Sequence, residues 1–196
     1  MIGEHVGAQD QVCAAFGGFN WIEFATDGTF EVSPLILPPG RAESLQSHLM
    51  LFFTGFTRIA SDIAAAQIAN IDSLESELRQ MQAMVPEAIE ILQDENRSLA
   101  DFGALLHLAW DLKRRMSPLV STPAIDSIYA RAICAGAIGG KLLGAGGGGF
   151  MLLFADPDNH RSIREAMAQS WEEVTYVPFK FENSGSRVVL YQPNGL

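Results

Sequence analysis

Basic side chains are scarce in this chain: 13 Lys and Arg stand against 23 Asp and Glu, a formal net charge of -10. Broad nucleic-acid binding needs the opposite balance and is excluded; a bound phosphate would have to be met by a local set of donors. Cysteine is nearly absent too. Cys13 and Cys134 are far apart and form no CxxC pair, so neither a zinc site nor a disulfide framework is expected, and both read as small core residues. The four histidines, His5, His48, His107 and His160, make no metal-ligand spacing and read as structural or surface residues. No apolar run approaches the roughly 20 residues that span a bilayer, and no signal pattern opens the chain. No membrane partner is expected, and the expected location is cytoplasmic. The mean hydropathy of +0.13 is nevertheless high, which points to some surface meant to be covered by a partner.

Glycine is what the chain has in quantity, and it is concentrated. Five of the six residues from Gly144 to Gly149 are glycine, Ala145 being the exception, and the run leads straight into Phe150-Met151-Leu152-Leu153-Phe154. Glycines leave room for backbone N–H groups to converge on an anion, and flexible linkers do not usually abut a buried strand. The run therefore reads as an ordered ligand loop. A second landmark is Gly7-Ala8-Gln9-Asp10-Gln11, followed by Gly17-Gly18-Phe19-Asn20. A carboxylate between two glutamines suggests a positioned acid or base, although Asp near Gly is also ordinary turn chemistry.

Periodicity supplies the frame. Residues 12–20 read as a helix end leading into a glycine turn. Trp21–Phe24 and Thr29–Ser33 read as strands joined at Asp27-Gly28. Pro34, Pro38, Pro39 and Gly40 mark a domain boundary. His48–Thr54 reads as a buried strand, broken by Gly55, with a helix starting near Arg58. Leu74, Leu78, Met81 and Val85 keep helical spacing, and Pro86 starts a new helix or kinks the old one. Leu99, Phe102, Leu106, Ala109, Leu112 and Met116 form an apolar stripe. Lys113-Arg114-Arg115 falls in the last turn of that helix, where cations suit the dipole better than they suit a phosphate clamp. Thr122-Pro123 opens a helix that runs to about Cys134 and delivers the chain into the glycine loop. Phe150–Ala155 is a strand, Asp158 caps a helix through Trp171, and Val174–Phe181 with Arg187–Tyr191 forms a last hairpin. The expected class is α+β, with helices on one face of an antiparallel sheet and an N-terminal hairpin beside it.

The glycine loop fits neither familiar phosphate binder. In a P-loop, Lys follows the glycines and Ser or Thr comes next; here Lys141 precedes most of them and Leu142 follows it. A dinucleotide fingerprint needs a strand before the loop and a helix after it, whereas this order reads helix, loop, strand. Taken together, Lys141–Phe150 and Gly7–Asn20 resemble the GHMP small-molecule kinases. The first stretch looks like that family's third motif, and the second like the segment carrying the catalytic Asp in its sugar-kinase branch. With Thr54-Gly55-Phe56-Thr57-Arg58, the pattern looks most like the heptose 7-phosphate kinases of that branch.

The resemblance implies phosphoryl transfer from ATP, with Mg2+, to the anomeric hydroxyl of a heptose 7-phosphate. Asp10 would accept or orient the hydroxyl proton. Gly144, Ala145, Gly146, Gly147, Gly148 and Gly149 would lie against the phosphoryl group and the substrate. Thr54, Arg58 and Lys141 would face the same cleft, Arg58 meeting a sugar oxygen or the substrate's phosphate unless it is a plain helix-surface residue. Gln9 and Gln11 would meet sugar hydroxyls. The family also carries an earlier Gly-Leu-Gly-Ser-Ser-like loop that holds the ATP phosphates, with a Ser and a Glu serving Mg2+. That loop does not occur in this sequence. Residues 1–40 are accordingly expected to be a remnant of the family's N-terminal domain and 41–196 its C-terminal domain. The chain alone is expected to be inactive or nearly so, with apolar surface favouring a homodimer or a separate N-terminal chain. The alternatives are a non-catalytic truncated or ligand-binding chain, or a fucose- or galactose-type member of the family.

Overall fold

The computed structural model describes residues 7–56, 71–169 and 173–188, together with Ile63, Ala65 and Ile68. The chain divides into two compact units. One is built from Gly7–Ile36 with residues 180–188, the other from Leu37–Phe179.

The smaller unit holds helix α1 (Gln9–Phe16) and an antiparallel hairpin of β1 (Asn20–Phe24) and β2 (Phe30–Pro34). Asp27 closes the hairpin: its Oδ1 accepts from the Thr29 N–H at 2.9 Å and the Thr29 hydroxyl at 2.6 Å. These bonds hold the Asp27 carboxyl below its ordinary range. The C-terminus of α1 packs on the returning chain. A Cβ on Gly17 would enter the Ser184 backbone, and the Gly18 N–H donates to the Glu182 carbonyl at 2.8 Å. Close backbone approach thus accounts for Gly17, and a φ of +72 for Gly18, without any ligand.

The larger unit runs α2 (Arg41–His48), β3 (Leu49–Phe53), α3 (Glu75–Gln93), α4 (Leu99–Met116), α5 (Pro123–Cys134), β4 (Ala137–Leu142), β5 (Phe150–Ala155), α6 (His160–Ala168) and β6 (Thr175–Tyr176). Short 3-10 turns precede α3 at Ile71–Leu74 and α6 at Pro157–Asn159. The four strands form one antiparallel sheet in the order β4-β5-β3-β6. Pairings such as Met50 with Leu153 and Phe52 with Met151 put one side of each strand into a common core. Ile125, Ile128 and Ala132 of α5 join that core, as do Ile163 and Met167 of α6.

Several local expectations are corrected. His48 ends a helix instead of opening the strand; α2, charged and short, carries too weak an apolar pattern to be read from sequence. Pro86 lies inside one continuous helix, α3. A strand, β4, lies between α5 and the glycine loop where the sequence read as loop. Its glycines are there for packing: α4 approaches so closely that a Cβ on Gly139 would enter the Gly103 carbonyl, while one on Gly103 would come within 2.5 Å of the Phe154 ring. The order is therefore strand, loop, strand, and the dinucleotide fingerprint still fails because no helix follows. Asp156, not Asp158, makes the cap before α6, accepting from the Asp158 N–H at 2.9 Å. The last hairpin reduces to Thr175–Tyr176 pairing with Phe53 and Phe52, and 177–188 carry no regular element. Trp171 and Val189–Tyr191 lie outside the described residues. Both cysteines are exposed, not core.

Candidate functional site

The glycine loop closes the β4–β5 hairpin. At its base the Leu143 N–H donates to the Phe150 carbonyl at 2.8 Å. Gly144, Gly146, Gly147 and Gly149 adopt φ of +70, +124, +73 and +95, backbone that side chains disfavour. Gly148 is required for a different reason, since a Cβ there would sit 2.5 Å from the Phe56 carbonyl oxygen. Gly146 is doubly constrained, because its Cβ would meet the Val120 backbone at 2.8 Å. Ala145 is the exception with a cause: its methyl packs against the core.

Two segments pin this loop from opposite sides. The Gly147 N–H donates to the Val120 carbonyl at 2.8 Å, from the α4–α5 turn. The Gly149 N–H donates to the Phe56 carbonyl at 2.7 Å, and the Gly149 carbonyl accepts from the Thr54 N–H at 2.9 Å. Lys113 Nζ donates to the Gly144 carbonyl. The N–H groups of Gly147 and Gly149 are therefore committed to anchoring. Those of Gly146 and Gly148 donate to no protein acceptor among the described residues. The loop is an ordered element in which two N–H groups, on the buried Gly146 and the half-buried Gly148, have no protein acceptor among the described residues.

Thr54 has a different task from the one expected. It is fully buried, at 0 % exposure, and its Oγ1 donates to the Gly149 carbonyl at 2.9 Å, so it does not face a cleft. Lys141, on β4 opposite Leu152, is half-buried, and among the described residues it has no carboxylate partner. Burial lowers its pKa, because the charged form loses hydration. Arg58 lies outside the described residues. Gln9, Asp10 and Gln11 stand exposed on the first turn of α1, in the smaller unit. A carboxylate there suits the helix dipole. The Gln11 amide folds back, donating to the Gly7 carbonyl at 2.7 Å, which leaves Gln9 and Asp10 as the outward groups of the trio.

The basic run at the end of α4 divides its roles. Arg114 donates to Asp111 at 2.5 Å and to Asp126 at 3.2 Å, and Arg115 donates to Asp111 at 2.8 Å. These bonds, Arg114's first, hold the Asp111 carboxyl below its ordinary range. Both guanidiniums are thus paired with carboxylates, the buried Arg114 Nε alone lacking a partner, and of the three cations only Lys113 reaches the loop. The neighbouring cavity of about 350 Å³, lined by Arg114, Arg115, Ser121 and Asp126 among others, is polar but internally paired. Sequence reasoning missed Lys113, Val120 and Phe56 as supports of the loop. The last two act through backbone carbonyls, which leave no side-chain signature.

Among the described residues no three His, Cys, Asp or Glu side chains converge to hold a metal ion. No helix among them is long and apolar enough to cross a membrane.

Residues 62–173 match the family described as GHMP kinases C terminal. The chain is 37% identical over 183 residues to D-glycero-alpha-D-manno-heptose 7-phosphate kinase of Campylobacter jejuni, covering 91% of this chain and 52% of that protein. It is 30% identical over 172 residues to the L-fucokinase/L-fucose-1-P guanylyltransferase of Bacteroides fragilis, covering 84% of this chain and 18% of that one. A crystal structure of a D-glycero-D-manno-heptose 1-phosphate kinase from Bacteroides thetaiotaomicron superimposes with a TM-score of 0.63 at 24% identity, over 91% of this chain and 47% of that one, a likeness of fold. The chain spans about half the length of the heptose 7-phosphate kinase it matches.

Proposed function

Since the chain belongs to the GHMP kinases, whose C-terminal domain it carries, we propose that it serves ATP-dependent phosphorylation of a sugar phosphate, with the anomeric hydroxyl of a heptose 7-phosphate as acceptor. The observation that supports this reading is the anchored glycine loop, whose Gly146 and Gly148 N–H groups have no protein acceptor among the described residues. Those two donors would stabilise charge on the transferring phosphoryl group, an arrangement in which loss of one donor typically costs about 10²–10³ in rate.

In the proposed step the acceptor oxygen forms a bond to the γ-phosphorus of ATP, and the bond from that phosphorus to the β–γ bridging oxygen breaks. ADP leaves, and the hydroxyl proton passes to the Asp10 carboxylate. Gln9 would donate to sugar hydroxyls, and Gln11 would steady the turn that carries Asp10. Lys141 would gain an anionic neighbour when the substrate or nucleotide binds, which favours its charged form. Arg58 is assigned to the sugar or its existing phosphate. Mg2+ would neutralise phosphate charge, but the described residues do not form a ligand set for it, and no step above uses one.

The test is ADP release from ATP and Mg2+ with heptose 7-phosphate, with L-fucose, and with no sugar, by the chain alone and with the family's N-terminal, ATP-loop-bearing segment supplied as a separate polypeptide. Turnover only with the phosphorylated heptose supports the proposal. Preference for L-fucose would favour the second reading, motivated by the 30% identity to the fucokinase. Binding of sugar phosphate without turnover would favour a non-catalytic ligand-binding role.

A further inference from the structure

Glycine-rich backbone does not hold a shape by itself. Four of the loop's residues lie at positive φ, and with no Cβ they have many other conformations open to them. The direction in which the Gly146 and Gly148 N–H groups point is therefore set by whatever fixes the neighbouring peptide planes. Two of the pins are backbone to backbone, from Gly147 to Val120 and from Gly149 to Phe56. The third is unusual. The Gly149 carbonyl accepts two donors from one residue, the N–H and the hydroxyl of Thr54, each at 2.9 Å. Both lone pairs of that carbonyl are thereby used. Thr54 is completely buried, so its hydroxyl has no water to bond instead. It follows directly on β3, which pairs with β5 along its whole length, so the pin is mounted on the centre of the sheet.

We infer that Thr54 is a positioning residue of the glycine loop: its buried hydroxyl, doubling the backbone bond to the Gly149 carbonyl, fixes the Gly149–Phe150 peptide plane, the end of the loop from which the Gly148 residue is hung. The inference rests on the reading of the loop as the phosphoryl site of a kinase. It differs from that reading in giving Thr54 no contact with substrate. Between the pinned residues Gly147 and Gly149, only one peptide lacks a hydrogen bond to the protein, and it is the one bearing the Gly148 N–H. Loss of the Thr54 hydroxyl leaves the Gly149 carbonyl one donor short and loosens the Gly149–Phe150 plane, and that freedom reaches the Gly148 peptide through rotation at Gly149, which has no Cβ to resist it. Thr and Ser are equivalent for this purpose, whereas Val keeps the shape and loses the donor.

The experiment compares wild type with Thr54→Val, Thr54→Ala and Thr54→Ser by two readouts. The first is nuclear magnetic resonance of the protein without ligand: the ¹³C shift of the Gly149 carbonyl and the exchange rate of the Gly149 amide. The expected result is a changed shift and faster exchange in the Val and Ala variants, both restored in the Ser variant. The second is steady-state kinetics with ATP, Mg2+ and heptose 7-phosphate, with the family's N-terminal segment supplied as a separate polypeptide. There kcat is expected to fall about tenfold or more in the Val and Ala variants with KM within about twofold, and to recover in the Ser variant, the pattern of an interaction made for the transition state only. An unchanged carbonyl shift and exchange rate in a folded Val or Ala variant would overturn the inference. So would a Ser variant as impaired as the Val variant, or a loss expressed wholly in KM. If wild type shows no turnover even with the N-terminal segment supplied, the kinase reading fails, but the resonance readout still decides whether Thr54 orders the loop. Should the Val variant not fold, the Ala variant, which introduces no γ atoms, carries the same comparison.

Discussion

Asp10 is the residue on which the chemistry of the proposal turns, and its exposed place on the first turn of α1 leaves the carboxylate open to a ligand. In the enzyme complemented with the family's N-terminal segment, Asp10→Asn is expected to abolish turnover, by a factor of about 10² or more, while sugar-phosphate affinity by calorimetry changes only a few-fold. Retained turnover would remove Asp10 from the proton-accepting role. In the loop, Gly148→Ala is expected to be as damaging to turnover, because its Cβ would press on the Phe56 carbonyl and displace the anchoring strand end. Crystallography or amide shifts of Gly147 and Gly149 would register the displacement. His160 gives a pH signature. Burial, more than any neighbouring charge, lowers its pKa from the usual 6.5, so the unfolded chain takes up this proton before the folded chain does. Stability is expected to fall as pH drops from 6.5 towards the lowered value, then to level. His160→Gln should flatten that slope in chemical denaturation carried out on either side of the window. The candidate residues Asp10, Lys141 and the glycines were legible because side-chain chemistry or its absence marks them in sequence. The task of Thr54 was not, since a Thr beside a site and a Thr beneath it look alike until burial is known.

At the scale of elements, legibility followed the strength of the local signal. The helix opened by Thr122-Pro123 forms as its cap predicts, Thr122 accepting from the Ile125 N–H at 3.3 Å, and Thr122→Ala is expected to cost about 1 kcal/mol in denaturant unfolding. The hairpin at Asp27-Gly28 likewise follows from turn chemistry that is local. β4 was hidden because Gly139 and Gly140 look like loop, and their real reasons, the approach of α4 at Gly139 and of Leu152 and Leu153 of β5 at Gly140, appear only in the folded chain. Gly103→Ala tests that packing. Its Cβ would meet the Phe154 ring at 2.5 Å and Ile138 at 3.1 Å, and an overpacking cost of about 1–3 kcal/mol is expected, measured as a drop in Tm. An unchanged Tm would mean that α4 and the sheet can part without strain.

For the whole molecule, composition is informative in one direction. The excess of acidic residues argues against a broad nucleic-acid footprint, and the apolar content has a visible counterpart in the smaller unit, where Trp21, Phe24 and Phe30 are 41%, 51% and 48% exposed. The protein is expected to bind an environment-sensitive apolar dye, and joint substitution of these three residues by Ser should remove most of the fluorescence; unaltered dye binding would assign it to another surface. The sequence by itself determined the α+β class, the family and the ordered nature of the glycine run, because each rests on side-chain periodicity or on a contiguous motif. Tertiary structure alone decided which of the loop's N–H groups are committed and which have no protein acceptor among the described residues, and that Thr54 serves from beneath. Those facts depend on the Val120, Phe56 and Gly149 carbonyls, backbone groups that every residue possesses and that only the folded chain brings within hydrogen-bonding distance.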